Sequence, residues 1–162
     1  ARGNFVAVHV EVNQHGVELE AERGAVVAVK VKTAGPAVRR GTEQALRDAV
    51  RPVRGELAAS ARSRLPRRGV LGAWVASARV TIRQAGHGDT AGVTVEAHKS
   101  GHNLSGIDAG TVTHPTWGRG PLHRQAVPAG YFTDVMTGPV ARRARRAVLD
   151  ALAKAMRESG TV

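Results

Sequence analysis

The chain contains no cysteine and only five aromatic residues among 162: two Trp, two Phe and one Tyr. Without thiols there are no disulfides and no thiolate metal sites. Isoleucine is as scarce, at two residues, so the apolar content comes mainly from Val and Ala. Such side chains remove little area from water when buried. An isolated monomer is therefore expected to be only modestly stable, and burial against neighbouring subunits to help. No apolar run approaches the roughly 20 residues that span a bilayer, so no membrane partner is expected. The opening "ARGNF" lacks a signal peptide's hydrophobic segment and reads as a cytoplasmic chain whose initiator Met was removed.

What is abundant is positive charge, a formal +11, and it is localised. Residues 1–35 carry four basic and four acidic groups, and residues 86–133 carry three of each. Residues 36–85 carry eleven basic against three acidic groups, and residues 134–162 six against three. The whole excess lies on two segments with helical periodicity, which points to a polyanion or an acidic protein neighbour.

The length suits one domain spanning 1–162. "FVAVHVEV", "VELEAE" and "VVAVKVK" each alternate apolar and polar residues, the period of half-buried strands, with a turn signal at Asn13 to Gly16. They make residues 1–35 a set of antiparallel strands. After Gly35-Pro36 the period changes. Leu46, Val50, Val53, Leu57, Ala61 and Leu65 recur at three and four, so a long amphipathic helix is expected over about 38–64, bent at Pro52. Beside this stripe run Arg40, Arg47, Arg51, Arg54 and Arg62, either a solvated flank or a surface aimed at DNA or an acidic subunit. Strands at about 78–85 and 92–98 form a hairpin around "AGHGDTAG". Residues 99–132 show no periodicity and read as a long irregular stretch, a type usually functional or interfacial. In 133–162, Thr133 or Thr137 can cap a last helix, Pro139 suits its first turn, and Val140, Ala144, Val148, Leu152 and Met156 form its stripe. Arg142, Arg143, Arg145 and Arg146 crowd its first half, the unfavourable end of the helix dipole unless something negative lies nearby. The fold class is α+β: a small antiparallel sheet of N-terminal strands plus a hairpin, packed on one long kinked helix and a C-terminal helix.

No constellation carries catalysis. His98 and His102 in "HKSGH" have a zinc-ligand spacing, but Gly101 and the preceding strand argue against the helix it needs. Ser105, His102 and Asp108 in "HNLSGID" are hydrolase residue types without a nucleophile elbow. "GHGDTAG" breaks G-x-G-x-x-G at Ala91 and joins two strands. The expectation is no enzyme, no metal and no cofactor. "VTHPTWGRGPLHRQAVPAGYF", Val112 to Phe132, remains. It concentrates three of the five aromatics and three of the seven prolines.

That segment and its flanks resemble a known family. The helix ending in "ARSRLP", then "RRGVLGAWVASARV", then "THPTWG", then "VPAGYF" before an Arg-rich terminal helix occur in the order of the small connector or tail-completion proteins of siphophages, the gene-product-ten-like minor tail component family. The resemblance covers about residues 38–158. It departs at Arg68, where members usually have Thr, and residues 1–35 have no counterpart. Those strands are either an added sheet or a strand donated to a neighbouring subunit through an open edge.

The resemblance implies a structural virion protein of the phage neck, assembled in the host cytoplasm, that joins head to tail and completes or terminates the tail. It would form a homo-oligomeric ring, a hexamer or dodecamer, between neighbouring neck and tail-tube proteins around the genomic DNA. On that reading Arg40, Arg47, Arg51, Arg54, Arg62, Arg142, Arg143 and Arg146 are candidates for the DNA channel or an acidic partner. His114, Pro115, Trp117, Pro128, Tyr131 and Phe132 are candidates for the subunit interface, with core filling as the competing role for the aromatics. The alternative is a non-specific nucleic-acid-binding module, whose affinity would fall steeply with salt.

Overall fold

The computed structural model describes residues 6–13, 16–22, 25–32, 36–85, 87, 90–115 and 120–158. Strands β1 (Val6–Asn13), β2 (Gly16–Glu22) and β3 (Ala25–Lys32) precede helices α1 (Pro36–Val50), α2 (Val53–Arg64) and α3 (Leu71–Ala76). A hairpin of β4 (Arg79–Gln84) and β5 (Thr90–His98) follows. The architecture is the expected α+β arrangement of sheet, long kinked helix and C-terminal helix.

The N-terminal strands and the hairpin belong to one five-stranded sheet, in the order β2-β1-β3-β5-β4. Every neighbouring pair is antiparallel except β1 with β3. The register explains the alternation in the sequence. Ala21, Val8, Val27, Val95 and Ile82 lie in one cross-strand row, and Leu19, Val10, Val29 and Val93 in another. The intervening rows are mainly polar, with Glu20, His9, Ala28, Thr94 and Arg83 aligned in one and Glu22, Ala7, Val26, Glu96 and Thr81 in the next. Because strand side chains alternate in direction, this alignment is the register that collects the apolar residues on one face. Ala91, Val93, Val95 and Ala97 of β5 are buried, and α1 lies across β5.

The helical stripe also falls where the periodicity puts it. Leu46, Val50, Val53, Leu57, Ala61 and Leu65 are all buried. The helix breaks at Arg51-Pro52 into α1 and α2, since Pro52 has no N–H to donate. Against α2 packs α3, closely enough that a Cβ on Gly72 would lie 3.1 Å from the carbonyl oxygen of Ala61. Entry to α3 goes through Val70, a β-branched residue in the left-handed region at φ 59° that is 68% exposed.

Residues 99–132 are not irregular. They contain α4 (Leu104–Asp108) and a second hairpin, β6 (Thr111–Pro115) with β7 (Leu122–Ala126). All five residues of β7 are exposed. A strand with no buried face has no need to alternate apolar and polar residues, so it carries no period-two signal. Asn103 caps α4, its Oδ1 accepting from the N–H groups of Ser105 (3.1 Å) and Gly106 (3.2 Å).

The terminal helix starts with α5 (Thr133–Val135), passes through a π-helical turn at Met136–Val140, and continues as α6 (Ala141–Glu158). Pro139 therefore sits inside the helix, and not in its first turn. The wider π turn is where a residue without an N–H is tolerated. Because the helix begins at 133, the arginines from Arg142 onward lie beyond the first turn, where the dipole's influence has faded. Their position is thus no argument for a negative neighbour. Val140, Ala144 and Val148 are buried, whereas Met156 is 52% exposed, so the stripe leaves the core before the helix ends.

Candidate partner-contact surface

Three sets of residues bear on function: the arginines, the aromatic segment and the histidine loop. Arg40, Arg47, Arg51, Arg54 and Arg62 are all exposed along α1, the kink and α2. Arg51 is partly committed, bonding Asp48 at 2.9 Å, but both groups remain largely in water, where such a pair contributes little. Arg142 and Arg146 are exposed on α6. These cations do not form one continuous sheet of charge. Between α1 and α6 runs a groove of about 830 Å³, lined by Ala45, Ala49, Ala147 and Ala151 and by the charged side chains of Asp48, Asp150, Lys154 and Glu158. Its mixed charges, with Asp48 paired to Arg51 and Glu158 to Lys154, interrupt the basic surface along the helix pair.

Arg143 is a correction. Its guanidinium makes a two-pronged ion pair with Glu56 on α2, at 2.6 and 2.7 Å, and donates through Nε to the carbonyl oxygen of Ala49 at 3.0 Å. Ala49 is next to the last residue of α1, where carbonyls lack intrahelical partners. Arg143 thus binds the ends of two helices to α6 and is not available to DNA or another subunit. Arg143→Ala is expected to cost about 1–2 kcal/mol of stability by urea denaturation, whereas Arg142→Ala and Arg146→Ala stay within about 0.5 kcal/mol. Equal effects at all three positions would remove this distinction.

Arg64 was not singled out by the helical stripe, yet it does similar work. It pairs with Asp134 in the first turn of α5 and donates to the carbonyl oxygen of Ala129 at 3.3 Å. Asp134 is also well placed at a helix N-terminus.

The aromatic segment divides. Phe132 is completely buried and Tyr131 is 2% exposed, their rings in edge contact at 6.4 Å. Both are core residues of this chain, and neither is a subunit anchor. Pro128 is exposed, and His114 is half-buried in β6. Pro115 ends β6, while Trp117 lies outside the described residues. Between these points the β6–β7 hairpin stands off the core. Val112 and Val127 are buried at its base, while Leu122 at the start of β7 is 71% exposed.

The residues of the "HNLSGID" loop hold the structure together. Asp108 is buried, and its Oδ1 accepts from the N–H of Phe132 at 2.7 Å and of Thr133 at 3.1 Å. Its other oxygen accepts from the Thr133 hydroxyl. The expected caps, Thr133 and Thr137, are thus replaced by a carboxylate from a distant element. Gly130 prepares the turn: it adopts φ 82° and donates to the Asp108 carbonyl oxygen at 2.7 Å. Ser105 bonds the Asn103 side chain at 2.7 Å. His102 meets Thr113 O at 3.3 Å and packs edge-on against Trp74 at 5.2 Å. Lys99 lies over the same indole at 5.1 Å. Ser105, His102 and Asp108 therefore serve three separate structural contacts.

Among the described residues no group of three His, Asp or Glu is placed to hold a metal ion, and no helix is long and apolar enough to cross a membrane. Among the described residues, the surfaces that can meet a partner include the exposed arginines, the exposed strand β7 and the outer edges of β2 and β4. Comparison with protein-family models, with curated proteins and with solved structures finds no match to this chain.

Proposed function

We propose that the protein is a structural subunit of a siphophage neck, joining head to tail within a homo-oligomeric ring around the DNA passage. The observation that carries this reading is the β6–β7 hairpin. A two-stranded hairpin with one strand wholly exposed is marginal on its own. Covering it with a neighbouring subunit supplies the apolar burial that a Val/Ala core lacks. The same segment holds "THPTWG" and leads to "VPAGYF", which carry the resemblance to the tail-completion family. Arg40, Arg47, Arg54, Arg62, Arg142 and Arg146 would serve the channel or an acidic adjoining ring, and the neighbours would be neck and tail-tube proteins.

Leu122→Asp tests the proposal. An exposed residue on a monomer tolerates this change within about 0.5 kcal/mol. At a subunit contact it buries an unpaired charge. Ring formation, followed by sedimentation and negative-stain imaging with particle extracts, should fall at least tenfold while the melting temperature holds. Unchanged assembly would sink the role given to the hairpin, and absence of the protein from every particle would sink the neck reading. The exposed arginines favour the second reading, a non-specific nucleic-acid-binding module. Duplex affinity whose logarithm falls by about 0.9 per contacted phosphate per log unit of salt, with no assembly at all, would favour it.

A further inference from the structure

We infer that copies of this chain join edge to edge through the main sheet, β2 of one pairing antiparallel with β4 of the next, in a register set by Glu18 opposite Arg83 and Glu22 opposite Arg79. The inference rests on the ring reading above and names the contact that would build it.

The sheet ends at β2 on one side and β4 on the other, and among the described residues neither strand has a second strand partner. An outer strand leaves a row of N–H and C=O groups able to template another chain. The two edges carry opposite charge. β2 reads "GVELEAE", with Glu18, Glu20 and Glu22 at alternate positions. β4 reads "RVTIRQ", with Arg79 and Arg83 exposed and without an ion pair among the described residues. β2 against β2 would align glutamates, and β4 against β4 would align arginines. Only β2 against β4 joins opposite signs. Charges placed merely to keep edges apart would carry the same sign on both.

Direction and pattern agree with the sign. Following the observed pairings, β1 and β3 run one way, β2 and β5 the other, and β4 runs with β3. A neighbouring copy in the same orientation therefore brings its β2 antiparallel to β4. With Leu19 opposite Ile82, the whole of β4 is matched. Ala21 then meets Val80, Val17 meets Gln84 and Glu20 meets Thr81, while both glutamate–arginine pairs form. Shifting by two residues keeps at most one such pair. Along the existing sheet, Glu20 and Arg83 share a polar row, and Ala21 and Ile82 share an apolar one. Continuation thus extends both faces, with Val17 beside Gln84 the one unlike pair. The contact is head-to-tail, the kind that closes into a ring or runs on as a filament.

The absence of native cysteine gives a clean test. Glu20→Cys with Thr81→Cys places two thiols directly opposite across the inferred contact and leaves both ion pairs intact. Within one copy three strands separate β2 from β4, about 19 Å at the usual strand spacing, far beyond disulfide reach. Mild oxidation of the double variant should give a ladder of linked chains, and each single variant nothing beyond dimers. Arg79→Glu with Arg83→Glu should weaken self-association roughly 100-fold by sedimentation. Adding Glu18→Lys and Glu22→Lys should restore it, with circular dichroism melts confirming that each variant folds. Oligomers that form without the ladder, or that survive the arginine reversal, overturn the edge contact and leave the ring reading standing. A ladder of open filaments supports the contact and overturns the ring. A chain that is monomeric at every concentration and never cross-links overturns both.

Discussion

Asp108→Ala is expected to lower stability by about 3–4 kcal/mol, a large part of what a domain of this size possesses. The estimate follows from what the carboxylate does. It accepts two backbone N–H bonds at the head of the terminal helix and a third bond from the Thr133 hydroxyl, from a position that is 7% exposed. Alanine would leave the Phe132 N–H without an acceptor in a region that water does not reach, and would remove a negative group from a helix N-terminus. The loss should appear as a lower urea midpoint with an unchanged slope, the sign of altered stability without altered compactness. Asp108→Asn keeps one acceptor oxygen and should cost about half as much. A loss below about 1 kcal/mol for the alanine variant would mean that the helix start is held by something other than this cap.

Much of the fold was legible because the residues responsible are periodic. Val8, Val10 and Val12, with Val27, Val29 and Val31, announced strands, and the observed register aligns them in common rows. Leu46 through Leu65 announced the kinked helix, and each member of that stripe is buried. What stayed hidden depends on contacts between distant residues. Asp108 looked like loop polarity until the chain brought it to Thr133, 25 positions away. Arg143 looked like its neighbours Arg142 and Arg145, and only Glu56, 87 positions away, sets it apart. The β6–β7 hairpin was missed for a different reason, since its exposed strand has no face to mark. Order within the sheet was hidden too. Alternation says that a segment is a strand but not that β3 lies between β1 and β5, or that the acidic and basic strands are the outer ones.

The adjacent aromatics Tyr131 and Phe132 should respond in opposite directions. Phe132 is the largest side chain with no exposure among the described residues, so Phe132→Ala empties a large, fully packed site in the core. Such changes cost about 3–5 kcal/mol. Tyr131 is buried as well, but its hydroxyl has no hydrogen-bond partner among the described residues. Tyr131→Phe removes that unsatisfied group at nearly constant volume and should raise stability by about 1 kcal/mol. The same burial pushes the phenol's pKa well above its ordinary value, and the negative charge of Asp108 pushes it the same way. The folded chain therefore holds this proton more tightly than the unfolded chain does. The stabilisation linked to that proton is intact below about pH 10, where an unfolded tyrosine also stays neutral, and is lost as pH rises above it. The slope approaches about 1.4 kcal/mol per pH unit. Because Tyr131 is the only tyrosine, phenolate absorbance reports on this one group. It should appear together with alkaline unfolding, as followed by circular dichroism, and not before it. Tyr131→Phe should flatten that limb of the stability curve. A phenol that ionises near pH 10 in a chain still folded would place Tyr131 at the surface and return it to the candidates for subunit contact.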